Sequence, residues 1–288
     1  MVVLMSQPIA LSGTEVRIVH SDAMDFDFEI SIRRPLVDPG TPLPVVYFTD
    51  ADMTMGFVSN MTDLLLQGGE MPPVLSVGIG YPVDSRDLEY IVQRRMYDFS
   101  PTRDEFQLAE LYESALSAGK PEAGGAPKFI QFMRDELWPW LTQNFNVAED
   151  RTYVGDSMGG LFGTYVLFNH PGFFNRYIIG SPWICWDHPL CFDYEEAYAA
   201  NHDDLRAVVF LSAGGAEDVL SPAFDPNAAK IFEIADTEAH TLKMGERLAS
   251  RGYPGLKLKT LIFPEETHFT VPYALIPHGL RYVFGAGA

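Results

Sequence analysis

Ser157 lies in the stretch GDSMG at residues 155–159, between an apolar run and a helix-like segment. The spacing fits the pattern G-x-S-x-G, in which a serine occupies a strained turn between a strand and a helix. The backbone N–H of Met158, at the start of that helix, is then aimed at the negative charge that develops on a reacting oxygen. Ser157 is therefore a candidate nucleophile, although a purely structural strand-to-helix turn uses the same small residues.

A serine nucleophile requires a base, and one histidine directly follows the last apolar run. Residues 264–268 read PEETH, which places His268 just after the run 258–263. An acid must orient that histidine, and Glu217 and Asp218 follow the run 208–212. Because these two are adjacent, only one can face the imidazole; we favour Glu217 and keep Asp218 as the alternative. The order serine, acid, histidine is one that serine hydrolases use.

A second backbone donor to the oxyanion is expected in the loop that follows the run 45–49. The N–H of Ala51 is the first choice, and that of Asp52 is the alternative, since loop geometry cannot be deduced from sequence. Neither the histidines nor the two cysteines have a spacing typical of a metal site, so no metal or cofactor is expected.

Short apolar or β-branched runs predict the strands that must position these residues. They cover residues 16–20, 26–33, 45–49, 74–80, 152–155, 177–179, 208–212 and 258–263. The later runs are continuous rather than alternating, which is typical of parallel strands buried on both faces. Helical spacing predicts a helix after Pro127 and another over 228–250, with Asn227 as its N-cap and Gly252 at its end. Strands that alternate with helices predict an α/β fold.

The chain is expected to form a single domain over residues 1–288, with two elaborations. Residues 117–127 are rich in glycine, alanine and proline, which predicts a mobile loop. The region around 181–206 is predicted to be an aromatic excursion between two strands. Its tryptophan Trp183 either lines a substrate site or packs in a hydrophobic lid, and the sequence leaves both open.

The composition of the chain disfavours some classes of binding partner. A formal net charge of −19 disfavours nonspecific binding to nucleic acid or to anionic membranes. No apolar run is long enough to span a bilayer, and the first residues lack the basic region of a signal peptide. Cys185 and Cys191 are expected to be thiols. A cytoplasmic protein with a small-molecule substrate is therefore expected, while the sequence indicates no oligomeric state.

Several stretches resemble the putative-esterase family of α/β hydrolases, in its esterase D-like branch. Within that family the pattern is most similar to the siderophore esterases that open trilactones such as enterobactin. The resemblance runs from about residue 25 to the end of the chain. It rests on VYFTD at 46–50, VGIGY at 77–81, RRMYDFSPT at 94–102, GDSMGG at 155–160, PGFF at 171–174, SPW at 181–183, HFTVP at 268–272 and GLR at 279–281.

The resemblance implies an α/β-hydrolase fold with a mostly parallel sheet of about eight strands, and a Ser157–His268 pair with Glu217 in the acid region. The chain departs from the family pattern at Ala51, where glycine is usual, and at Asp218, which follows Glu217. It also has WICW at 183–186 in place of the common version of that segment.

Arg94 and Arg95 allow two interpretations. One arginine pairs with Asp98 or Asp104 as a structural clamp while the other is solvated, or one of them points into the cleft and binds an anionic ligand. Tyr81 and Trp183 are further candidates for substrate binding.

The function expected from these residues is that of a serine carboxylesterase that works through an acyl-enzyme. The substrate class suggested by the resemblance is a siderophore-type or other small polar ester. The alternatives are a carbohydrate (acetyl or feruloyl) esterase and an S-formylglutathione-type thioesterase, which use the same machinery. A non-catalytic binding scaffold is a further, weaker interpretation.

Overall fold

A computed structural model describes residues 11–83, 87–103, 122–219 and 226–285. Within these ranges eight strands form one sheet, in the order β1-β2-β4-β3-β5-β6-β7-β8. The strands are β1 Thr14–Ser21, β2 Phe26–Arg33, β3 Leu43–Thr49, β4 Leu75–Gly80, β5 Val147–Asp156, β6 Arg176–Gly180, β7 Ala207–Gly214 and β8 Leu256–Phe263. Each predicted run overlaps one of these strands, although the run 152–155 covers only part of β5 and the run 74–80 begins one residue before β4.

The sheet is parallel except at one end. β2 pairs antiparallel with both β1 and β4, and the pairs from β4 to β8 are parallel. All residues of β4 are buried, whereas the edge strand β1 exposes Val16 and Ile18. Parallel strands covered on both faces are expected to be continuously apolar, so the run pattern correctly predicted the α/β architecture.

Helices cover both faces. They are α1 Ala51–Gln67, α2 Leu88–Phe99, α3 Ala126–Gln131, a π-helical segment Phe132–Leu137, α4 Trp138–Asn144, α5 Met158–Asn169, α6 Leu190–Ala199, α7 Pro226–Ala235, α8 Thr237–Arg251 and α9 Val271–Phe284. Helices α1 and α9 bury one apolar cluster against the sheet, with Val58 and Leu275 inside it. The larger cluster on the opposite face contains the rings of Phe28, Phe129 and Phe162. Among the described residues, no helix has both the length and the apolar character needed to cross a membrane.

The helix predicted over 228–250 is in fact two helices. Asp236 separates α7 from α8 with φ 40° and ψ 50°, a left-handed conformation that interrupts the helical hydrogen bonding. Asn227 therefore lies inside α7, which begins at Pro226, and is not its N-cap. The predicted end is correct: Gly252 follows α8 with φ 66°.

The two predicted elaborations are described only in part. Residues 117–121 lie outside the described ranges, and 122–125 have no regular structure before α3 begins. The excursion around 181–206 contains helix α6 and buries Trp183, Trp186 and Phe192. Cys185 and Cys191, in the same region, are buried thiols.

The pairing register of the parallel strands brings the loops that carry the candidate site residues together. β3 pairs with β5 so that Phe48 lies opposite Val154. Three residues beyond each of these, the chain reaches Ala51 and Ser157, at the starts of α1 and α5. The carboxyl ends of β7 and β8 lie along the same edge of the sheet. The loops after four parallel strands therefore converge at one place, where α/β proteins bind ligands.

Candidate active site

Ser157 occupies a strained turn. Its backbone has φ 60° and ψ −120°, and α5 begins at the next residue. A Cβ on Gly155 would lie 2.6 Å from the backbone oxygen of Gly159, and a Cβ on Gly159 would lie 2.5 Å from Thr49 Oγ1. Side chains at the two glycines would therefore collide with the turn itself and with β3. This is the physical reason for the G-x-S-x-G spacing at this position.

His268 connects the serine to an acid. Ser157 Oγ lies 3.0 Å from His268 Nε2, and His268 Nδ1 lies 2.8 Å from Glu217 Oε2. In the tautomer whose Nδ1–H donates to Glu217, Nε2 accepts the serine hydroxyl proton. All three side chains are buried, whereas Asp218 is exposed. The structure thus brings Glu217, and not Asp218, to the histidine.

Three further donors surround the Glu217 carboxylate. Oε1 accepts hydrogen bonds from Ser181 Oγ and, at 2.7 Å, from the Gly214 backbone N–H. Oε2 accepts one from Thr237 Oγ1 at 2.6 Å. Burial by itself raises the pKa of Glu217. The hydrogen bond and charge of His268, together with the two hydroxyls, outweigh burial and lower that pKa below its usual value. The carboxylate is therefore ionised at neutral pH.

The two residues expected to donate to an oxyanion both lie at helix starts. Met158 and Ala51 are the first residues of α5 and α1, so their N–H groups belong to helix N-termini. Asp50, just before Ala51, has φ 60° and ψ 40°, which turns the chain sharply from β3 into α1. The Asp52 side chain contacts the residue after β4, where its Oδ1 accepts a hydrogen bond from the Tyr81 N–H at 3.1 Å.

A cavity of about 350 Å³ opens beside Ser157 and His268. Most of its walls are apolar. They include Phe48, Met53, Phe57, Leu88, Val92, Val154, Phe269, Pro272, Tyr273, Leu275 and Ile276. Asp50, Arg95 and Asp156 also line it. Such a space suits an uncharged organic group next to the serine.

The two adjacent arginines have different partners. Arg95 lines the cavity and pairs with Asp50, with its Nε 2.5 Å from Oδ1 and its Nη2 3.0 Å from Oδ2. Arg94 pairs with the buried Asp98 at 2.7 Å and lies 3.9 Å from the ring centre of Phe26. Arg94 thus forms the predicted clamp with Asp98, while Asp104 lies outside the described residues. The expectation that the other arginine is solvated is wrong, because Arg95 is largely buried, pairs with Asp50 and lines the cavity.

Tyr81 and Trp183 do not reach the cavity. Tyr81 is buried and donates to Asp98 Oδ2 at 3.1 Å, so it belongs with Arg94 to a buried polar cluster. The Trp183 ring is buried behind His268, with the two ring centres 6.4 Å apart, and the backbone N–H of Trp183 donates to the Ser157 carbonyl at 3.3 Å. Their burial corrects the expectation that these side chains contact substrate.

Sequence reasoning missed four residues around the site. Ser181 and Thr237 hold the Glu217 carboxylate, Asp50 neutralises Arg95, and Asp156 lines the cavity. Asp156 and Asp50 lie inside stretches already singled out by pattern, so position alone could have indicated them. Thr237 carries no local signal, because it contacts the site only through the packing of α8.

Comparison with known proteins supplies the family. Residues 21–241 match the family model described as "Putative esterase". The chain belongs to the putative esterase family. This identification confirms the predicted hydrolase class, and the eight-stranded sheet confirms the predicted α/β-hydrolase fold.

Relatives of this esterase cover most of its length. The chain is 29% identical over 290 residues to the ferri-bacillibactin esterase BesA of Bacillus subtilis (strain 168), covering 96% of this chain and 91% of that protein. It is 26% identical over 262 residues to the siderophore triacetylfusarinine C esterase of Aspergillus fumigatus, covering 84% and 82% respectively. The siderophore hydrolase EstA from Aspergillus nidulans has the same fold, with a TM-score of 0.82, 21% identity and coverage of 100% and 99%.

Proposed function

We propose that this esterase cleaves small carboxylic esters through an acyl-enzyme formed on Ser157. The proposal rests on one observation, the continuous hydrogen-bonded series from Ser157 Oγ through His268 to Glu217, with distances of 3.0 Å and 2.8 Å. A serine, a histidine and a carboxylate in this order and geometry make up the machinery of serine hydrolases.

Acylation begins at the serine. His268 Nε2 takes the hydroxyl proton while Ser157 Oγ attacks the ester carbonyl carbon. The carbonyl oxygen becomes an oxyanion, which accepts hydrogen bonds from the N–H groups of Met158 and Ala51. Loss of one such donor typically costs about 3 to 4 kcal/mol of transition-state stabilisation. The tetrahedral intermediate then collapses, and His268 gives its proton to the departing alcohol oxygen.

Deacylation repeats these steps with water. His268 removes a proton from a water molecule that attacks the acyl carbon, and then returns the proton to Ser157 Oγ as the acid leaves. Glu217 keeps Nδ1 protonated and stabilises the imidazolium that forms in each half-reaction, without taking the proton itself. The depressed pKa of Glu217 supports this role, because the carboxylate stays ionised.

The substrate class we propose is a siderophore-type ester. Support comes from the relatives named ferri-bacillibactin esterase and siderophore triacetylfusarinine C esterase, each matched over most of its length. A small-molecule ester also suits a cavity of about 350 Å³. The buried thiols of Cys185 and Cys191 are typical of a reducing compartment, which supports a cytoplasmic location.

The first test is hydrolysis of short p-nitrophenyl esters by the wild type and by Ser157→Ala. We expect kcat to fall roughly 10³-fold or more in the variant. An uncharged fluorophosphonate should label the wild type at Ser157 and leave the variant unlabelled. Equal activity of the two proteins, or labelling of neither, would contradict the proposal and favour a binding scaffold.

A second candidate is an aryl-ester hydrolase of the feruloyl type. The aromatic side chains of Phe57, Phe269 and Tyr273 line the cavity and could stack on an aromatic acyl group. A kcat/KM for methyl ferulate far above that for siderophore esters would favour it.

A further inference from the structure

The cavity contains little uncompensated positive charge. Among its described lining residues, the ionisable side chains are Asp50, Arg95, Asp156 and His268, together with the phenol of Tyr273. Arg95 makes two close contacts with the Asp50 carboxylate, and both side chains are largely buried. The guanidinium is therefore already neutralised by a partner held in place by the turn into α1. An incoming anion would have to compete with that partner.

Asp156 adds negative charge next to the nucleophile. It directly precedes Ser157, and its Oδ1 is buried without a hydrogen-bond partner among the described residues. Burial raises the pKa of Asp156 to about 7. Above neutral pH the cavity therefore holds the Asp50–Arg95 pair and one further carboxylate. The formal net charge of −19 for the whole chain also repels an approaching anion.

Exposed apolar side chains surround this site. Four residues that line the cavity also present large apolar surfaces to solvent. They are Met53, Leu88, Phe269 and Tyr273, with exposed fractions of 47%, 57%, 56% and 57%. Clustered apolar exposure of this kind marks a surface that binds another apolar group. Its location at the serine indicates that the group belongs to the ester being cleaved.

We propose that this site selects esters that carry no negative charge near the scissile bond and whose acyl group is uncharged and apolar or aromatic. The inference deepens the proposed esterase function and depends on it. Among iron-carrying esters, it favours uncharged ferric hydroxamate complexes over negatively charged ferric catecholate complexes. The selectivity comes from the pairing of Arg95 with Asp50, which removes the one arginine of the described cavity wall as an anion receptor.

A matched pair of esters tests this selectivity. The mono-4-nitrophenyl ester of adipic acid carries a carboxylate, and its methyl-capped counterpart is neutral but otherwise alike. We expect the ratio of kcat/KM, neutral over anionic, to be roughly tenfold or more at low salt, about 1.4 kcal/mol in favour of the neutral ester. Added salt should lower that ratio, because screening weakens the repulsion.

Asp50→Asn releases the arginine while keeping the side-chain shape, and asparagine also tolerates the left-handed backbone of this position. The ratio should fall at least about threefold in this variant. Any general damage to the nearby Ala51 donor affects both esters and cancels in the ratio. Asp63→Asn is the matched control: it also unpairs an arginine, Arg33, but lies outside the described lining of the cavity and should leave the ratio unchanged.

The outcomes separate the two proposals. A wild-type ratio near or below one, or a ratio unaffected by Asp50→Asn, overturns the charge selectivity while esterase activity stands. Absence of hydrolysis of both esters, with no fluorophosphonate labelling of Ser157, overturns the esterase proposal and this inference with it. Hydrolysis of a ferric catecholate ester in preference to a ferric hydroxamate ester also counts against the selectivity.

Discussion

Thr237 donates a hydrogen bond of 2.6 Å to Glu217 Oε2, the same carboxylate oxygen that lies 2.8 Å from His268 Nδ1. Thr237 is the first residue of α8, directly after the left-handed Asp236 that separates this helix from α7. The helix break therefore has a consequence for the site, because it places a hydroxyl against the carboxylate that faces the histidine.

Thr237→Val should weaken the orientation of Glu217. The change removes one of the hydroxyls that lower the pKa of Glu217, so we expect that pKa to rise and the acid limb of kcat/KM to move to higher pH. A buried hydrogen bond to a charged group is worth about 1.5 to 3 kcal/mol, and kcat should fall by roughly tenfold. Thr237→Ser keeps the hydroxyl and should restore both the rate and the pH profile. Loss of stability without a change in the pH profile would indicate a purely structural role.

Glu217→Gln and Asp218→Asn form a matched pair at adjacent positions. The glutamine variant keeps the size of the side chain but removes the charge that stabilises the imidazolium, so we expect kcat to fall by roughly 10²-fold or more. Asp218 is exposed, and its amide variant should retain nearly full activity. A larger loss in Asp218→Asn than in Glu217→Gln would contradict the assignment of the acid. Steady-state hydrolysis of p-nitrophenyl acetate measures both variants.

Asp156 should make stability depend on pH. Burial raises its pKa to about 7 from an ordinary value near 4. Between these two pH values the carboxyl is therefore protonated in the folded protein and ionised in the unfolded chain. Stability from this group is thus fully present below about pH 4 and declines as pH rises towards about pH 7.

The variant Asp156→Asn tests this pH dependence, because its amide has no proton to lose in this range. Its free energy of unfolding relative to the wild type should rise by about 2 kcal/mol between about pH 5 and about pH 8, because the rest of the wild-type loss has already occurred between about pH 4 and about pH 5. Urea denaturation at the two pH values measures it, and an unchanged difference would contradict the raised pKa.

Two helical glycines test the packing around the nucleophile. A Cβ on Gly163, in α5, would lie 2.7 Å from the ring of Tyr153, whereas a Cβ on Gly56, in α1, would meet open space. Gly163→Ala should therefore destabilise the fold by about 1 to 3 kcal/mol through overpacking. Gly56→Ala should stabilise it by about 0.5 to 1 kcal/mol, because alanine restricts the unfolded chain and favours the helix. Thermal unfolding of both variants would show shifts of opposite sign, and shifts of the same sign would contradict this account.

Local features of the sequence were enough to predict the strands and the turn at Ser157. Continuous apolar runs identify buried parallel strands, and the glycines around Ser157 indicate a turn in which side chains would collide. His268 could also be proposed from its position alone, directly after the last run. Each of these inferences depends on residues that are neighbours along the chain.

Contacts between distant segments could be assigned only in the folded chain. Glu217 and Asp218 are equivalent in sequence, and only the path of the loop after β7 turns one of them inward to His268. Arg94 and Arg95 are likewise adjacent, yet successive residues on a helix face in different directions, so one pairs with Asp98 and the other with Asp50 at the cavity. The architecture, the nucleophile turn and the histidine could thus be predicted from the chain alone, because they follow from local periodicity and steric demand. The sequence could not show which carboxylate contacts the histidine, nor that the cavity arginine is paired with an aspartate. Both depend on the directions of side chains from segments that only folding brings together.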